Sequence, residues 1–288
     1  MNILIQNPAK IEVFTNIFQN LKSISDTVNV QFDEEKMYIQ TMDSARISIL
    51  EISLPCAWFC KYSFDGGQRA ECLQQLTQES ASHSPEFGPT KLTLGIHTQL
   101  MFKILSTRDK NQTISLQYSS EEEIVMIHMR AIDETGQPIP GGGFDKQFEL
   151  PLIDLDTEYL GIPEIEYQVE MALHSSVFST MIHQLRGFGE SLEIHCDEET
   201  IRFTAKTQNS GSMAVNVRMD DLTEFAIEED CQLDLTFGLQ YLQNICNYGK
   251  ITKQVHIKLH ADYPLRIDYP LDNDGFVKYF LAPKMNDE

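Results

Sequence analysis

The sequence predicts an α+β fold made of two similar units, each running helix, strands, helix, strands. Four stretches place apolar residues at the spacing of an amphipathic helix, and apolar and polar residues alternate between them. The turns DEEK and DEET begin at Asp33 and Asp197, which lie 164 residues apart, and the helical positions Phe14 and Phe178 keep the same separation. A separation that is kept through a helix and a hairpin indicates an internal repeat.

Each element follows from a local pattern of side chains. The first helix is predicted from Phe14, Ile17, Phe18 and Leu21, which share one helical face. Alternating β-branched and polar residues on either side of the two acidic turns predict hairpins. In chain order the predicted helices are 10–22, 98–108, 175–186 and 239–248, and the predicted strands include 28–32, 37–41, 46–54, 92–96, 114–118, 192–196, 201–205, 233–237 and 255–259.

The second part of each unit repeats with a shorter offset. The strand that begins at Leu92 corresponds to the strand that begins at Leu233, and this separation of 141 residues is 23 fewer than the first offset. The first unit therefore contains extra residues, which we place at about 65–90 because glycines and prolines interrupt every regular pattern there. The predicted domains are residues 1–150, which include this segment, and residues 168–288.

A connector of residues 151–167 joins the two units. It is acidic and contains Pro151 and Pro163, yet it also carries several large apolar side chains, which is unusual for a solvated linker. The triplet Gly-Ile-Pro in its second half favours an extended path over a helix. This composition predicts a segment that crosses a surface and leaves some apolar side chains exposed.

The overall composition is that of an ordinary globular chain, with 288 residues and a formal net charge of −21. Residues 1–10 lack the pattern of a signal peptide, and no apolar run approaches the roughly 20 residues of a membrane helix. Six scattered cysteines in such a chain favour reduced thiols in an intracellular compartment. So negative a charge argues against a protein that grips nucleic acid through its whole surface.

The predicted helices depart from this acidic average, with a net charge of +4. Their charged side chains are one carboxylate, Glu12, and five cations, Lys10, Lys22, Lys103, Arg108 and Arg186. Two interpretations remain open. Carboxylates are scarce on four solvated helices by chance, or the helices face an anionic partner while the strands and loops face solvent.

No catalytic or metal-binding constellation stands out in the sequence, and we expect no cofactor. The eight histidines are dispersed, and none lies in a recognisable nucleophile or metal motif. Cys56, Cys60, Cys72 and His83 are the best zinc candidates, but their spacing fits no common zinc finger, so core or loop roles are favoured. The loop QPIPGGG at 137–143 lacks the Gly-Lys-Ser/Thr ending of a phosphate-binding loop. An enzyme is therefore the least favoured hypothesis.

Five segments resemble the proliferating cell nuclear antigen (PCNA) family, the sliding clamps of eukaryotic DNA replication. They are IQTMDSARISIL at 39–50, LIDLDTEYLGIPEIEY at 152–167, LDLTFGLQYLQ at 233–243, HADYPLRIDY at 260–269 and KYFLAPKMNDE at 278–288. Together with the repeat, they cover nearly the whole chain apart from the extra segment.

The resemblance implies both a fold and a function. In this family each subunit has two similar α/β domains, and three subunits close head to tail around duplex DNA, with helices lining the hole and strands forming the outer surface. The chain would then be a non-enzymatic processivity factor in the nucleus or another replication compartment. It would form a homotrimer, be loaded by a clamp loader, and tether DNA polymerase, flap nuclease and DNA ligase through short peptide motifs, with no membrane partner.

By position, the resemblance also implies three sets of site residues. The pocket for partner peptides would comprise Met42, Ile47, Leu160, Ile162, Tyr167, Pro264, Ala282 and Pro283. The DNA-facing side chains would be Lys10, Lys22, Lys103, Arg108, His183 and Arg186. The joint between subunits would pair the edge strand around Phe148 and Leu150 with the edge strand around Ala205 and Val215 of the next subunit.

Departures from the family pattern indicate a divergent member, such as one from a virus with its own replication machinery. Thr180, His183, Gln240 and Asn247 stand where the family often has basic ring-lining residues, which predicts a less positive hole. Glu198 stands where cellular clamps have a lysine that they modify. The rival hypotheses are one subunit of a heterotrimeric checkpoint-type clamp and a clamp-fold polymerase accessory factor that binds DNA as a monomer.

Overall fold

The computed structural model describes residues 1–64, 91–119, 123–133, 136–140, 143–156, 159–207 and 211–284. Within these residues there are four α-helices, namely α1 (Pro8–Leu21), α2 (Thr98–Leu105), α3 (Ser175–Arg186) and α4 (Leu239–Cys246). All four coincide with predicted helices to within three residues at each end. The extra segment that we placed at about 65–90 lies outside the described residues.

The described strands number eighteen, nine from each half of the chain. The N-terminal half contains β1 (Asn2–Ile5), β2 (Thr27–Phe32), β3 (Lys36–Met42), β4 (Ser48–Pro55), β5 (Lys61–Ser63), β6 (Leu92–His97), β7 (Thr113–Ser119), β8 (Ile124–Arg130) and β9 (Lys146–Pro151). The C-terminal half contains β10 (Val169–His174), β11 (Ser191–Cys196), β12 (Ile201–Thr207), β13 (Gly211–Val217), β14 (Glu224–Ile227), β15 (Leu233–Gly238), β16 (Gln254–Leu259), β17 (Leu265–Pro270) and β18 (Phe276–Leu281).

These strands form three antiparallel sheets. Their strand orders are β5-β1-β7-β8-β9, β13-β12-β11-β15 and β14-β10-β16-β17-β18-β4-β3-β2-β6. The nine-stranded sheet is continuous because β18 of the C-terminal half pairs with β4 of the N-terminal half, with Tyr279 opposite Leu50. We call this β18–β4 pairing the seam, since it joins the two halves through backbone hydrogen bonds.

The internal repeat is visible in the two acidic turns. Oδ1 of Asp33 accepts hydrogen bonds from the backbone N–H groups two and three residues on, both at 2.9 Å. Oδ1 of Asp197 accepts the equivalent pair at 2.9 and 2.6 Å. The same aspartate turn therefore closes the β2–β3 hairpin and the β11–β12 hairpin, and the predicted repeat is confirmed at this point.

The four described helices form one layer on one face of the sheets. α1 packs against α2, α3 packs against α4, and the short 3₁₀ turn Asn247–Lys250 after α4 contacts α1. The layer is therefore continuous across the seam. The predicted apolar stripes face inward, since the side chains of Phe14, Leu21, Phe178 and Leu185 are all buried.

Four helix boundaries differ from the prediction by one to three residues, and two of them have a clear local reason. α1 begins at Pro8 because the side chain of Asn7 caps it, with Oδ1 accepting from the backbone N–H of Ala9 at 2.9 Å. α2 ends at Leu105, because the hydroxyl of Thr107 donates to the Ile104 carbonyl at 2.7 Å and the chain turns away. Lys22 and Arg108, which we had counted on the helices, therefore lie just beyond the helix ends.

Candidate functional site

The connector begins against the edge strand β6 of the nine-stranded sheet. The backbone N–H of Ile153 donates to the Gly95 carbonyl at 2.9 Å. A Cβ atom on Gly95 would lie 2.1 Å from the Ile153 carbonyl oxygen, so this strand position requires glycine. Further along, Nδ2 of Asn29 on β2 donates to the Leu155 carbonyl at 3.1 Å. These contacts fix the path of the connector across the outer face of the sheet, opposite the helices.

Gln40 on β3 fixes the middle of the connector. Its Oε1 accepts from the backbone N–H of Leu160 at 2.7 Å, and its Nε2 donates to the Leu160 carbonyl at 2.9 Å. One amide side chain thus pairs with both backbone groups of one residue, as a neighbouring strand would. The Leu160 side chain remains 41% exposed, so the connector presents it to solvent.

A polar network under the connector orients the Gln40 amide. Its Nε2 also lies 3.1 Å from Oε1 of Glu51, which accepts from the hydroxyl of Tyr38 at 2.5 Å. Burial, followed by the hydrogen bond to Glu51, raises the pKa of Tyr38 well above its usual range. The phenol therefore remains a donor at any physiological pH, and the amide orientation that holds Leu160 is fixed.

One end of the nine-stranded sheet brings together the first group of predicted pocket residues. Met42 ends β3, Ile47 precedes β4, Ala282 follows β18 and Pro264 precedes β17. These strands are neighbours in the sheet, and the backbone N–H of Ala282 donates to the Ile47 carbonyl at 3.0 Å. Ile47 is 37% exposed, Pro264 is exposed, and Met42, Ala282 and Pro283 are partly exposed. The result is an open apolar patch bounded by the connector.

Tyr167 forms the other side of this patch. The guanidinium carbon of Arg266 lies 6.0 Å from the ring centroids of both Tyr167 and Phe280, so the cation is within cation–π range of two aromatic rings. Arg266 is neutralised by Asp268, with Nε to Oδ1 and Nη2 to Oδ2 both at 2.8 Å. Ile162, on the connector, is half-buried.

Sequence reasoning missed three residues of this site, Gln40, Arg266 and Phe280. Phe280 had a signal, because it lies between the inward-facing Tyr279 and Leu281 and therefore had to leave the core face of β18. No sequence pattern marked Gln40 or Arg266, since their roles depend on which strands lie beside them in the folded chain.

Only some of the predicted DNA-facing cations in the N-terminal half lack a hydrogen bond that the structure describes to their own chain. Lys103 on α2 is exposed, and Lys22 is exposed with Nζ 4.3 Å from the Phe102 ring centroid. Lys10 is committed elsewhere, because its Nζ donates to the Trp58 carbonyl at 2.7 Å and to Oδ1 of Asn273 at 3.1 Å. It ties α1 to turns of both halves, so its ammonium group is held in place by neutral oxygens of the protein.

Arg108 is also largely occupied. Its Nη1 donates to the backbone carbonyls of Asp109, Lys110 and Gln112 at 3.1, 2.9 and 3.0 Å. Burial lowers the pKa of this guanidinium, although nearby carboxylates oppose the effect. Arg108 therefore closes the turn after α2, with one nitrogen of its guanidinium bonded to three backbone carbonyls.

The C-terminal half presents a nearly neutral helix surface. Nδ1 of His183 on α3 lies 3.1 Å from Nε2 of Gln243 on α4, so these side chains link the two helices. Arg186 is the cation at the end of α3, and its Nη1 donates to the Gly189 carbonyl at 3.2 Å. Thr180 and Gln240 on the same helices are exposed.

The strands that end a sheet include β9 in the five-stranded sheet and β13 in the four-stranded sheet. Phe148 on β9 and Val215 on β13 are half-buried. The Leu150 side chain is 1% exposed, so only its backbone reaches the edge. Ala205 was assigned wrongly. It lies in β12, which has neighbours on both sides, and its side chain is 0% exposed.

Among the described residues, no group of three or more His, Cys, Asp or Glu is arranged to hold a metal ion. Cys56 and Cys60 of the zinc hypothesis are exposed, while Cys72 and His83 lie outside the described residues. No helix in the described part of the chain has the length and apolar character needed to cross a membrane.

Two repeated α+β units, with one helical layer and a sheet shared across a seam, define a clamp-type fold. The family model of the PCNA C-terminal domain matches residues 161–284. PCNA of Saccharomyces cerevisiae is 26% identical over 280 residues, and PCNA of Chaetomium thermophilum is 22% identical over 281 residues, each alignment covering 96% of both chains. The chain is therefore similar to PCNA over nearly its whole length, as a divergent relative. Proteins of the PCNA family are non-enzymatic sliding clamps.

Proposed function

We propose that three copies of this chain close head to tail into a ring that encircles duplex DNA and tethers replication and repair proteins to it. The domains would be residues 1–150 and 168–288, joined by the connector at 151–167. One observation carries the proposal. The edge strands β9 and β13 are the repeat equivalents of β18 and β4, the two strands that pair at the seam.

The equivalence follows from strand pairing in the two halves. Ile39 pairs with Ile52 on β4, and Phe203, 164 residues later, pairs with Val215 on β13. A residue of β4 therefore corresponds to the residue 163 positions later in β13. By the same reasoning through β7, β8, β16 and β17, a residue of β18 corresponds to the residue 131 positions earlier in β9.

This equivalence predicts the register of the joint between subunits. At the seam Tyr279 lies opposite Leu50. The equivalent pair is Phe148 of one subunit opposite Met213 of the next. Such a joint uses different surfaces on the two sides, so copies close into a ring when the rotation between them fits. The number three is proposed from the family resemblance.

The helical layer supports a DNA-facing surface that binds weakly. Its free cations in the N-terminal half, Lys22 and Lys103, contrast with the charge of −21 for the whole chain. Few phosphate contacts release few counterions, so affinity is low and a ring can slide. A topological link then retains the DNA, and the acidic outer surface does not compete for it.

The apolar patch beside the connector supports a site for partner peptides. Ile47 and Leu160 are exposed on opposite sides of it, and the half-buried Tyr167 bounds it. Apolar and aromatic anchors of a short motif would cover this surface at low entropic cost, because Gln40 already orders the connector. DNA polymerase, flap nuclease, DNA ligase and the clamp loader are the proposed partners, in the nucleus or another replication compartment.

The ring is tested by crosslinking at the proposed register. The variant carries Phe148→Cys and Met213→Cys, with Cys56, Cys60 and Cys72 replaced by Ser. Oxidation should give a covalent species of three times 33.0 kDa. The control pairs Phe148→Cys with Ala214→Cys, whose side chain points to the opposite face of β13. Equal crosslinking of both variants, or of neither, would contradict the register.

Native mass separates the proposal from its rivals. Light scattering across a dilution series should give a mass near three times 33.0 kDa for the unmodified protein. A monomer at every concentration would favour a heterotrimer subunit, or a monomeric polymerase accessory factor. The accessory factor would have to bind DNA without closing a ring, which the nearly neutral surface of α3 and α4 disfavours.

The peptide pocket is tested by titration with a synthetic peptide that carries one aliphatic and two aromatic anchors. Ile162→Ala combined with Tyr167→Ala should weaken binding by at least about tenfold, as expected for central anchors. Ile153→Ala is the matched control, because Ile153 is also a half-buried isoleucine of the connector but lies beside β6, away from Tyr167. An unchanged affinity in the double variant would place the pocket elsewhere.

A further inference from the structure

Phe144 is an exposed aromatic side chain that no described residue of its own chain covers. It lies two residues before the open edge strand β9 and is 86% exposed, more than any other large apolar side chain in the described residues. A phenylalanine so exposed is unfavourable in an isolated subunit, because most of its apolar area faces water. Its position beside the edge strand β9 favours burial of this side chain by a partner.

The backbone of Phe144 is held firmly although its side chain is free. Nε2 of Gln112, whose side chain is buried, donates to the Phe144 carbonyl at 2.6 Å. Oε1 of the same amide accepts from the backbone N–H of Asp109 at 2.9 Å, and Lys146 bonds the Asp109 carboxylate at 2.7 Å. An exposed aromatic group on an ordered backbone loses little entropy when a partner covers it.

The seam shows what would lie against this position. Phe144 corresponds to Gly275, which precedes β18 just as Phe144 precedes β9. A Cβ atom on Gly275 would lie 3.3 Å from the Ser53 carbonyl oxygen on the strand across the seam. The equivalent of Ser53 is Asn216, and the next residue, Val217, stands opposite Phe144. In a joint built like the seam, the Phe144 side chain therefore starts at the surface of β13 of the next subunit.

An apolar surface is available at that place on β13. Val217 ends the strand half-buried, and the 3₁₀ turn Met219–Asp221 follows it, as the 3₁₀ turn Cys56–Trp58 follows β4. At the seam, the turn Cys56–Trp58 contacts Asp272–Asp274, which directly precede Gly275. Met219 is 39% exposed and occupies the first position of its turn.

We infer that Phe144 is an anchor of the joint between copies of this chain, packing against Val217 and Met219 of the next subunit. The inference rests on the proposed ring, and it assigns to this chain a contact that the seam lacks, since the seam has glycine at the equivalent position. The occupant of the exposed Phe144 surface is thus a second copy of the same chain.

The test compares the dissociation of the ring in a dilution series, followed by light scattering. Phe144→Ala should raise the concentration at which half the rings dissociate by at least about tenfold, and Phe144→Leu should recover part of the loss. Met219→Ala should weaken the ring less, and its effect should shrink in the Phe144→Ala background because the two side chains share one contact. Tyr263→Ala is the matched control, since Tyr263 is a 40% exposed aromatic residue far from β9 and β13 in the sheet order.

The outcomes distinguish this contact from the ring itself. A stable wild-type trimer whose dissociation is the same in Phe144→Ala would overturn the anchor and leave the ring intact. A wild-type protein that is monomeric throughout would overturn the ring first. Thermal unfolding of the dissociated subunits should be the same for wild type and Phe144→Ala, because the side chain is exposed within its own chain.

Discussion

The two halves of this chain share one fold but use their helical surfaces differently. In the N-terminal half, Lys22 and Lys103 are exposed cations beside α1 and α2. In the C-terminal half, α3 and α4 present Thr180, His183 and Gln240 on the solvent-facing side of the same helical layer. The buried residues keep the repeat, while the solvent-facing residues have diverged. Packing therefore constrains the buried positions of the repeat, whereas the charge of the solvent-facing positions differs between the halves.

The halves also differ in what covers their outermost strands. β18 and β4 cover each other at the seam, whereas their equivalents β9 and β13 lie at open edges. Tyr279 on β18 is 1% exposed, while its equivalent Phe148 on β9 is only half-buried. The same position of the repeat is therefore buried in the C-terminal half and only half-buried in the N-terminal half.

The largest expected effect separates these two positions. Tyr279→Ala should lower the free energy of unfolding of the isolated subunit by about 3–5 kcal/mol, because it leaves a cavity at the seam. Phe148→Ala should lower it by no more than about 1–2 kcal/mol, yet it should dissociate the ring. Urea unfolding followed by circular dichroism at low protein concentration, with light scattering for assembly, measures both. Equal losses in the isolated subunit would mean that β9 is covered within its own chain.

The second prediction concerns the charge of the helical layer. Lys103→Glu should shorten the time that a loaded clamp stays on DNA several-fold at low salt, and the effect should fade as salt screens it. Lys61→Glu makes the same charge change on β5, away from the helices, and should leave retention unchanged. Comparable losses in both variants would show that overall charge, and not the helical layer, governs retention.

The third prediction restores charge to the neutral half. Gln240→Lys adds a cation on the exposed face of α4, and the DNA affinity should rise by about twofold to tenfold at low salt. The slope of log affinity against log salt should steepen by about 0.9, the value expected for one added phosphate contact. Retention on primed circular DNA at several salt concentrations measures both quantities. An unchanged slope would indicate that α4 does not face the phosphates.

The sequence predicted what short-range patterns and the repeat can specify. All four helices and the two aspartate turns follow from local spacing, and the half-exposed connector follows from its mixture of prolines and apolar residues. The seam does not, because the pairing of β18 with β4 joins residues more than 200 positions apart. Lys10 shows the same limit at the site. Its charge is evident in the sequence, but the Trp58 carbonyl that accepts a hydrogen bond from it is 48 residues away.

The smallest expected effect again contrasts equivalent positions. His195 on β11 lies between two carboxylates, with Nδ1 2.7 Å from Asp234 and Nε2 3.2 Å from Asp197. Its equivalent on β2 is the neutral Gln31. The hydrogen bond to Asp234, followed by that to Asp197, raises the pKa of His195. A raised pKa in the folded state stabilises the fold below the unfolded-state pKa of about 6.5, and the stabilisation disappears as pH rises through the folded-state value.

His195→Gln gives the C-terminal half the side chain of the N-terminal half and should remove this dependence. We expect the wild type to exceed the variant in free energy of unfolding by up to about 1 kcal/mol near pH 5.5, since the ion pairs are partly solvated. The difference should vanish by about pH 8.5, where the imidazole is neutral in both states. Urea unfolding at the two pH values measures it. A difference that is the same at both would assign the effect of His195 to packing, and the contrast between the two halves would then be one of shape and not of charge.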